Sequence, residues 1–106
     1  MLNKYYIYII ECENNKLYTG ITTDYKRRFR EHLGIEKNGT KFTKSFRPIK
    51  ILLLYETIGR ANAIKLECRI KKLKKIDKLK IINNHRSFKY IFKNILDINL
   101  YKKIKI

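Results

Sequence analysis

Residues 5–22, YYIYIIECENNKLYTGIT, hold two apolar runs separated by a pair of asparagines. The first run, Tyr5 to Ile10, is aromatic and β-branched without a break, which is typical of a strand covered on both faces. Asn14 and Asn15 tolerate positive φ and therefore predict a turn. The second run, Leu17 to Thr22, predicts another strand, so that the stretch forms a hairpin whose first strand is central in the sheet.

The length of the hairpin loop determines where two tyrosines point, because opposed residues of an antiparallel pair share a face. A three-residue loop opposes Tyr8 to Gly20 and Tyr18 to Ile10, which places both phenols on one face of the sheet. A two-residue loop sends them to opposite faces. In the first register, Gly20 leaves a gap beside the Tyr8 hydroxyl that a phosphate could enter. The alternative is that both tyrosines are ordinary strand aromatics.

The chain is strongly basic, with 26 Lys and Arg against 9 Asp and Glu and a net charge of +17 over 106 residues. Such a charge favours a polyanionic partner, nucleic acid before a membrane surface. A coding bias toward lysine is the alternative source of the charge. The apolar runs are too short to span a membrane, no signal-peptide pattern is present, and the length fits one domain. We therefore expect a cytoplasmic protein with no membrane partner.

Two cysteines, Cys12 and Cys68, lie far apart in the sequence and form no CxxC motif. This spacing excludes the usual zinc patterns and a disulfide framework. Each cysteine is predicted to be a small buried apolar residue in a reducing cytosol. The two histidines are also too isolated to predict a His-based metal site.

The middle of the chain predicts a helix followed by a third strand. Asp24 is the expected N-cap of a helix that runs to Leu33, with Gly34 just after its end. Residues 34–47 predict a loop or a short helical turn near residues 41–45. Pro48 then opens a strand over residues 49–56, because proline is tolerated at a strand's first residue.

The rest of the chain predicts helices over residues 61–73, 77–83 with Asp77 as its cap, and 87–97. The fold class is therefore α/β in the broad sense (α+β), with a three-stranded antiparallel sheet flanked by helices in the order β-β-α-β-α-α. Residues 1–84 form the predicted domain, and residues 85–106 form a C-terminal extension that we expect to be helical.

Two helical patterns place polar side chains where they could act on a phosphate. Arg28 and His32 are spaced i, i+4 and lie on one side of their helix, where a guanidinium and an imidazole suit phosphate binding. Glu67 lies inside the apolar stripe of its helix, and an inward carboxylate is costly unless it is paired or binds a metal. The alternatives are a solvated helix face for the first pair and an i, i+4 ion pair with Lys71 for Glu67.

Taken together, these residues resemble the GIY-YIG nuclease superfamily. Tyr6-Ile7-Tyr8 stands where that family has GIY, and Tyr18-Thr19-Gly20 stands where it has YIG. Arg28 is at the family's arginine spacing, and Glu67 stands like the family's metal-binding glutamate on a helix after the third strand. The stretch from Tyr5 to about Ile82 resembles the small stand-alone bacterial branch most closely, in which tyrosine and threonine at positions 6 and 19 are usual.

The resemblance implies a divalent-metal-dependent endonuclease that hydrolyses phosphodiester bonds in DNA, with structure-selective cleavage or nicking and a role such as DNA repair. Glu67 would hold one Mg²⁺ or Mn²⁺ ion. Tyr8 would orient or deprotonate the attacking water, with Tyr18 or His32 assisting, and it would need nearby positive charge to lower its pKa. Arg28 would bind the non-bridging oxygens of the phosphate.

Partners follow from the same resemblance. DNA is expected rather than RNA, the protein would associate with the nucleoid, and a protein partner could supply specificity. The main alternative is a non-catalytic nucleic-acid-binding module on a degenerate nuclease fold, and a structural protein with a lysine-rich surface is the other. Lysines are the expected contacts to the nucleic-acid backbone, and the candidates are Lys41, Lys44, Lys71 and Lys72.

Overall fold

The computed structural model of the chain describes residues 3–32 and 46–106. Within them, an antiparallel sheet of four strands has the order β2-β1-β3-β4. The strands are β1 (Lys4–Cys12), β2 (Lys16–Thr22), β3 (Pro48–Ile58) and β4 (Lys102–Lys103). The long apolar β1 lies between β2 and β3, as the unbroken run in its sequence predicted.

Four helices accompany the sheet in the described part of the chain: α1 (Tyr25–His32), α2 (Arg60–Lys72), α3 (Lys75–Asn83) and α4 (His85–Phe92). The predicted cap of α1 is confirmed, because the Asp24 carboxylate accepts a hydrogen bond from the Arg27 N–H at 3.1 Å. The predicted cap of α3 is wrong. That helix begins two residues before Asp77, and the carboxylate lies in its first turn, 3.7 Å from Lys80 Nζ.

The hairpin has the three-residue loop. A three-residue turn, Glu13–Asn15, joins β1 to β2, and Asn14 and Asn15 adopt the left-handed conformation with φ of 60° and 59°. Tyr8 is therefore paired with Gly20 and Ile10 with Tyr18. The register that places both phenols on one face is the one the molecule adopts.

Each face of the sheet has its own core. The larger one joins Ile7 and Ile9 of β1 to the apolar stripe of α2 and to α4. The smaller one, on the opposite face, contains Tyr8 and is covered by Tyr25 and Phe29 of α1. The sheet is thus packed on both sides, and α1 lies on the face that carries the two tyrosines.

The prediction of three strands is wrong, because residues 102–103 add β4 to the edge of β3, opposite Glu56 and Tyr55. This strand has only two residues, both exposed lysines, so it carries no alternating apolar pattern. Short lysine-bearing strands are common at sheet edges, where they limit pairing with other chains.

The helix predicted over residues 87–97 is shorter at its C-terminal end. It ends at Phe92, and a turn follows in which the Phe92 carbonyl accepts from the N–H groups of Ile95 and Leu96. Asp97 then caps a 3₁₀ turn. The apolar stripe continues in sequence beyond the helix because Leu96 still packs against the core from this turn.

Residues 85–106 share the larger core, to which they contribute Phe88, Phe92 and Tyr101. Phe88 stacks on Tyr55 of β3 with ring centroids 4.3 Å apart, and the Tyr55 hydroxyl lies 2.6 Å from His85 Nδ1. The division of the chain after residue 84 stays a prediction. In the described residues, no helix is both long and apolar enough to cross a membrane.

The two cysteines differ in burial. Cys12 is buried in the smaller core, as predicted, whereas Cys68 is exposed. Cys68 follows the inward-facing Leu66 by two helical positions, which rotates it about 200° around α2 and out of the apolar stripe. The prediction that both are buried is therefore wrong for Cys68.

Candidate active site

Tyr8 and Tyr18 lie side by side on the face of the sheet that α1 covers. Their ring centroids are 6.2 Å apart and the rings are tilted by 42°. Tyr8 is buried, whereas Tyr18 is partly exposed. The hairpin therefore presents one accessible phenol beside one that is enclosed.

Gly20 lies directly beneath the end of the Tyr8 ring. A Cβ built on Gly20 would lie 2.5 Å from the Tyr8 hydroxyl and 2.7 Å from its Cζ, closer than any side chain can approach. The predicted gap beside the hydroxyl is thus filled by the end of the Tyr8 ring itself. Glycine at this position lets the phenol lie flat across β2.

His32, the last described residue of α1, reaches the same hydroxyl. Its Nε2 lies 2.9 Å from the Tyr8 oxygen, and its ring also contacts Tyr18 edge-on, with centroids 5.1 Å apart. The pKa of His32 is lowered from 6.5 to about 4, chiefly by burial and then by the charge of Arg28, while Glu31 opposes the shift. The imidazole is therefore neutral near pH 7.

Arg28 lies one turn before His32, and its positive charge acts on the Tyr8 hydroxyl. Its Nη1 donates a hydrogen bond to Glu31 Oε1 at 3.2 Å. About 22% of the Arg28 side chain remains exposed, whereas the Glu31 side chain is only 8% exposed. Glu31 thus holds the Arg28 guanidinium in place from its buried side. The exposed edge of the guanidinium remains available for contact with a phosphate.

The pKa of Tyr8 is raised above its ordinary value of 10.0, chiefly by burial and then by the neighbouring Tyr18. Arg28 lowers this pKa through its hydrogen bond and its charge, and Glu67 raises it. The positive charge that Tyr8 was expected to need is supplied by Arg28, but desolvation has the larger effect on this pKa. Tyr8 is a protonated phenol in the chain as it stands.

Glu67 lies on α2 and is close enough to Tyr8 for its negative charge to act on the phenol. Its side chain is 18% exposed, and its Oε2 lies 3.5 Å from Lys71 Nζ. The carboxylate is thus largely turned inward and is paired with Lys71, as the alternative interpretation predicted, and metal binding by Glu67 stays a prediction. The partner lysine is 54% exposed, so this pair is weakly held.

The residues around Glu67 fit an ion that keeps most of its water. In the described ranges, no group of three His, Cys, Asp or Glu side chains could enclose a metal. Mg²⁺ does not need such a group, since it is commonly bound by one or two carboxylates together with water and substrate phosphates. A partly buried single carboxylate that is close enough to Tyr8 for its charge to act there is compatible with this mode of binding.

The structure thus brings Tyr8, Tyr18 and His32 into mutual contact and places Arg28 and Glu67 close enough for their charges to act on Tyr8. Lys72 is exposed, as a backbone contact requires. Lys41 and Lys44 lie outside the described residues. Glu31 was missed as a member of the site, although an acid three residues after Arg28 on the same helix is a pattern that predicts such an ion pair.

The family model for the GIY-YIG catalytic domain matches residues 4–80, which include the hairpin, α1 and α2. This chain belongs to the GIY-YIG family. Within this family it is similar to small bacterial proteins called UPF0213. The one from Fusobacterium nucleatum subsp. nucleatum is 40% identical over 102 residues, covering 96% of this chain and 94% of the relative.

Two further GIY-YIG relatives cover most of the chain. The UPF0213 protein of Syntrophus aciditrophicus is 38% identical over 84 residues, covering 79% of this chain and 95% of its own length. The solution NMR structure of the UPF0213 protein BH0048 from Bacillus halodurans has 26% sequence identity and a TM-score of 0.50. The match covers 89% of this chain and 97% of that one, so the two chains share the same overall topology.

Proposed function

We propose that this GIY-YIG protein is a divalent-metal-dependent endonuclease that hydrolyses phosphodiester bonds in DNA, by structure-selective cleavage or nicking. The observation that carries the proposal is the convergence on one hydroxyl. The Tyr8 hydroxyl lies 2.9 Å from His32 Nε2, and the charges of Arg28 and Glu67 both act on it. An imidazole can accept a proton, a guanidinium can bind a phosphate and a carboxylate can hold a metal, so this set of groups suits phosphodiester hydrolysis.

Glu67 would hold the metal, Mg²⁺ or Mn²⁺, which when bound stabilises negative charge on the scissile phosphate and on the leaving oxygen. Lys71 would give up the carboxylate at that point, because a divalent cation attracts it more strongly than an exposed ammonium does. Arg28 would contact the non-bridging oxygens through its exposed edge while Glu31 keeps the guanidinium in place.

Tyr8 and His32 would move the proton together. With the His32 proton on Nδ1, the Tyr8 hydroxyl donates to Nε2, and the phenol oxygen is left to accept a proton from the attacking water. As the water oxygen bonds to phosphorus, its proton passes to Tyr8 and the phenol proton passes to His32. The bond to the leaving oxygen breaks, and that oxygen takes a proton from solvent. This arrangement does not require the phenol to ionise beforehand.

The wider setting belongs to the same proposal. A structure-selective nuclease of this size would act in DNA repair, would be found with the nucleoid in the cytoplasm, and would gain specificity from a protein partner. Lys71 and Lys72 on α2, and Lys41 and Lys44 in the part of the chain not described, would contact the DNA backbone.

The test is cleavage of labelled branched, single-stranded and duplex DNA, and of matched RNA, with and without a divalent ion. Wild type should nick at least one DNA substrate when Mg²⁺ or Mn²⁺ is present. Arg28→Ala and Glu67→Gln should each lose about 100-fold or more in rate. The matched controls are Arg86→Ala and Glu13→Gln, which change exposed residues away from Tyr8 and should cut like wild type.

Two outcomes would overturn the proposal. If Glu67→Gln cuts as fast as wild type, the metal is not held there. If wild type binds DNA with salt-sensitive affinity but cuts no substrate with any divalent ion, the chain is the non-catalytic binding module instead.

A further inference from the structure

A groove of about 520 Å³ lies beside α1, on the flank of the helix away from the candidate active site. Its walls are formed by Tyr25 and Phe29 of α1, by residues 49–51 of β3 and by Ile106. Lys26 and Arg30 stand along its rim. The volume is in the range of cavities that hold small organic ligands.

The composition of this groove is unusual for an apolar hollow. Its described lining includes three cationic side chains, Lys26, Arg30 and Lys50, and no acidic side chain. Its wall includes Ile49, which is 55% exposed although it is a large aliphatic residue on a strand. Apolar and aromatic walls below a cationic rim are complementary to a flat base attached to a phosphate backbone.

The position of the groove relates it to the candidate active site. Tyr25 and Phe29 lie on the stripe of α1 that packs on the sheet, with Arg28 and His32 on one side of this stripe and Lys26 and Arg30 on the other. Because a helix is about 10 Å wide, a strand bound at Arg28 needs only to cross α1 to reach the groove.

We propose that this groove binds an unpaired nucleotide of the nucleic-acid substrate, with the base against Phe29 and Ile49 and the adjoining phosphates on Lys26 and Lys50. The inference rests on the proposed nuclease function and names the substrate class, which is DNA with a single-stranded segment next to the cleaved bond. Fully paired duplex cannot enter the groove, because its bases are stacked inside the helix.

The test measures binding in EDTA, so that it does not depend on cleavage. The probes are a labelled oligothymidylate of about eight nucleotides, an abasic strand of the same length, and a blunt duplex. Wild type should bind the oligothymidylate about tenfold more tightly than the abasic strand, because base stacking adds affinity that phosphate contacts cannot supply.

Ile49→Asp should remove that preference for bases, since it places a carboxylate in the groove. Ile76→Asp is the matched control, because Ile76 is 63% exposed on α3 and lies outside the groove. Lys26→Ala and Lys50→Ala leave the apolar walls intact and should weaken binding of both single strands equally. Their effect therefore measures the contribution of the phosphate contacts made by these two lysines. Circular dichroism shows whether each variant is folded.

The proposal is overturned if wild type binds the abasic strand as tightly as the oligothymidylate, or if Ile49→Asp keeps the difference. It is also overturned if Ile49→Asp only converts a dimer to a monomer in sedimentation, which would make the groove a contact between copies. These binding results do not depend on cleavage in Mg²⁺. The proposal of nucleotide binding in the groove can therefore be disproved while the proposed nuclease activity is confirmed, or the nuclease activity can be disproved while the groove is shown to bind.

Discussion

The Tyr8 hydroxyl and His32 Nε2 lie 2.9 Å apart, and this contact joins the central strand of the sheet to the helix that covers it. Both groups are buried, and both have pKa values shifted toward their neutral forms by burial. Both partners are therefore neutral at rest, and the pair gains one positive charge, on His32, when it accepts a proton from water during hydrolysis.

Removing the Tyr8 hydroxyl should abolish most of the activity and leave the fold intact. Tyr8→Phe is expected to lower the cleavage rate by about 100-fold or more, because the attacking water loses its proton acceptor. It should cost about 1–2 kcal/mol of unfolding free energy, because His32 Nε2 loses its partner. Tyr90→Phe, at an exposed position on α4, is the control in both assays. Unchanged cleavage by Tyr8→Phe would remove Tyr8 from the mechanism.

Stability should fall as the pH is lowered, because His32 must be neutral in the folded chain. Its pKa is about 4 when folded and 6.5 when unfolded, so the unfolded state binds the proton first. The stabilising effect is complete above pH 6.5 and is lost as the pH falls toward 4. Between about pH 7.5 and 5 the loss is about 2 kcal/mol. His85, whose pKa is also lowered by burial, acts in the same direction.

NMR titration of the imidazole Cε1–H signals separates the two histidines, with His85→Asn used to assign them. A His32 signal that titrates near pH 6.5 in the folded protein would contradict this burial. Denaturant unfolding at the two pH values then measures the loss directly.

Gly20 should not tolerate a side chain. Gly20→Ala places a Cβ where the end of the Tyr8 ring now lies, so it should cost about 1–3 kcal/mol of stability and move the phenol away from His32. The same substitution in a Tyr8→Phe background should cost less, because one of the two close contacts is gone. Equal costs in the two backgrounds, measured by denaturant unfolding, would show that the glycine serves another purpose.

Glu31 should act through Arg28. Glu31→Gln keeps the shape and a hydrogen-bond acceptor but removes the charge that fixes the guanidinium, so cleavage should slow less than in Arg28→Ala. The double variant should be no slower than Arg28→Ala alone. Glu13→Gln controls for the loss of one negative charge. A double variant much slower than Arg28→Ala would mean that Glu31 acts on the substrate independently.

Local patterns in the sequence predicted most of what positions the site. The aromatic and β-branched run at Tyr5 to Ile10 predicted a central strand, and the asparagine pair predicted a loop whose length set the tyrosine register. Asp24 marked the start of α1 because capping is a local interaction. Such features depend only on residues that are close together in the sequence, so they can be predicted from the sequence alone.

Other features depended on contacts between distant parts of the chain. β4 has two lysines and exists because the chain after Tyr101 passes along the edge of β3. The raised pKa of Tyr8 results from enclosure by α1, which no spacing rule conveys. Burial of Cys12 and exposure of Cys68 likewise depend on which side of an element faces the sheet. The roles of the five site residues stay predictions until cleavage is measured.

The stacking of Phe88 on Tyr55 has a practical consequence for anyone who transplants this fold. A fusion protein that contains only residues 4–80, the part that the family model matches, would expose an aromatic surface of the sheet to water and would aggregate more readily. The smallest segment that keeps its core covered is therefore longer than the matched segment, because the residues after position 80 cover the larger hydrophobic core.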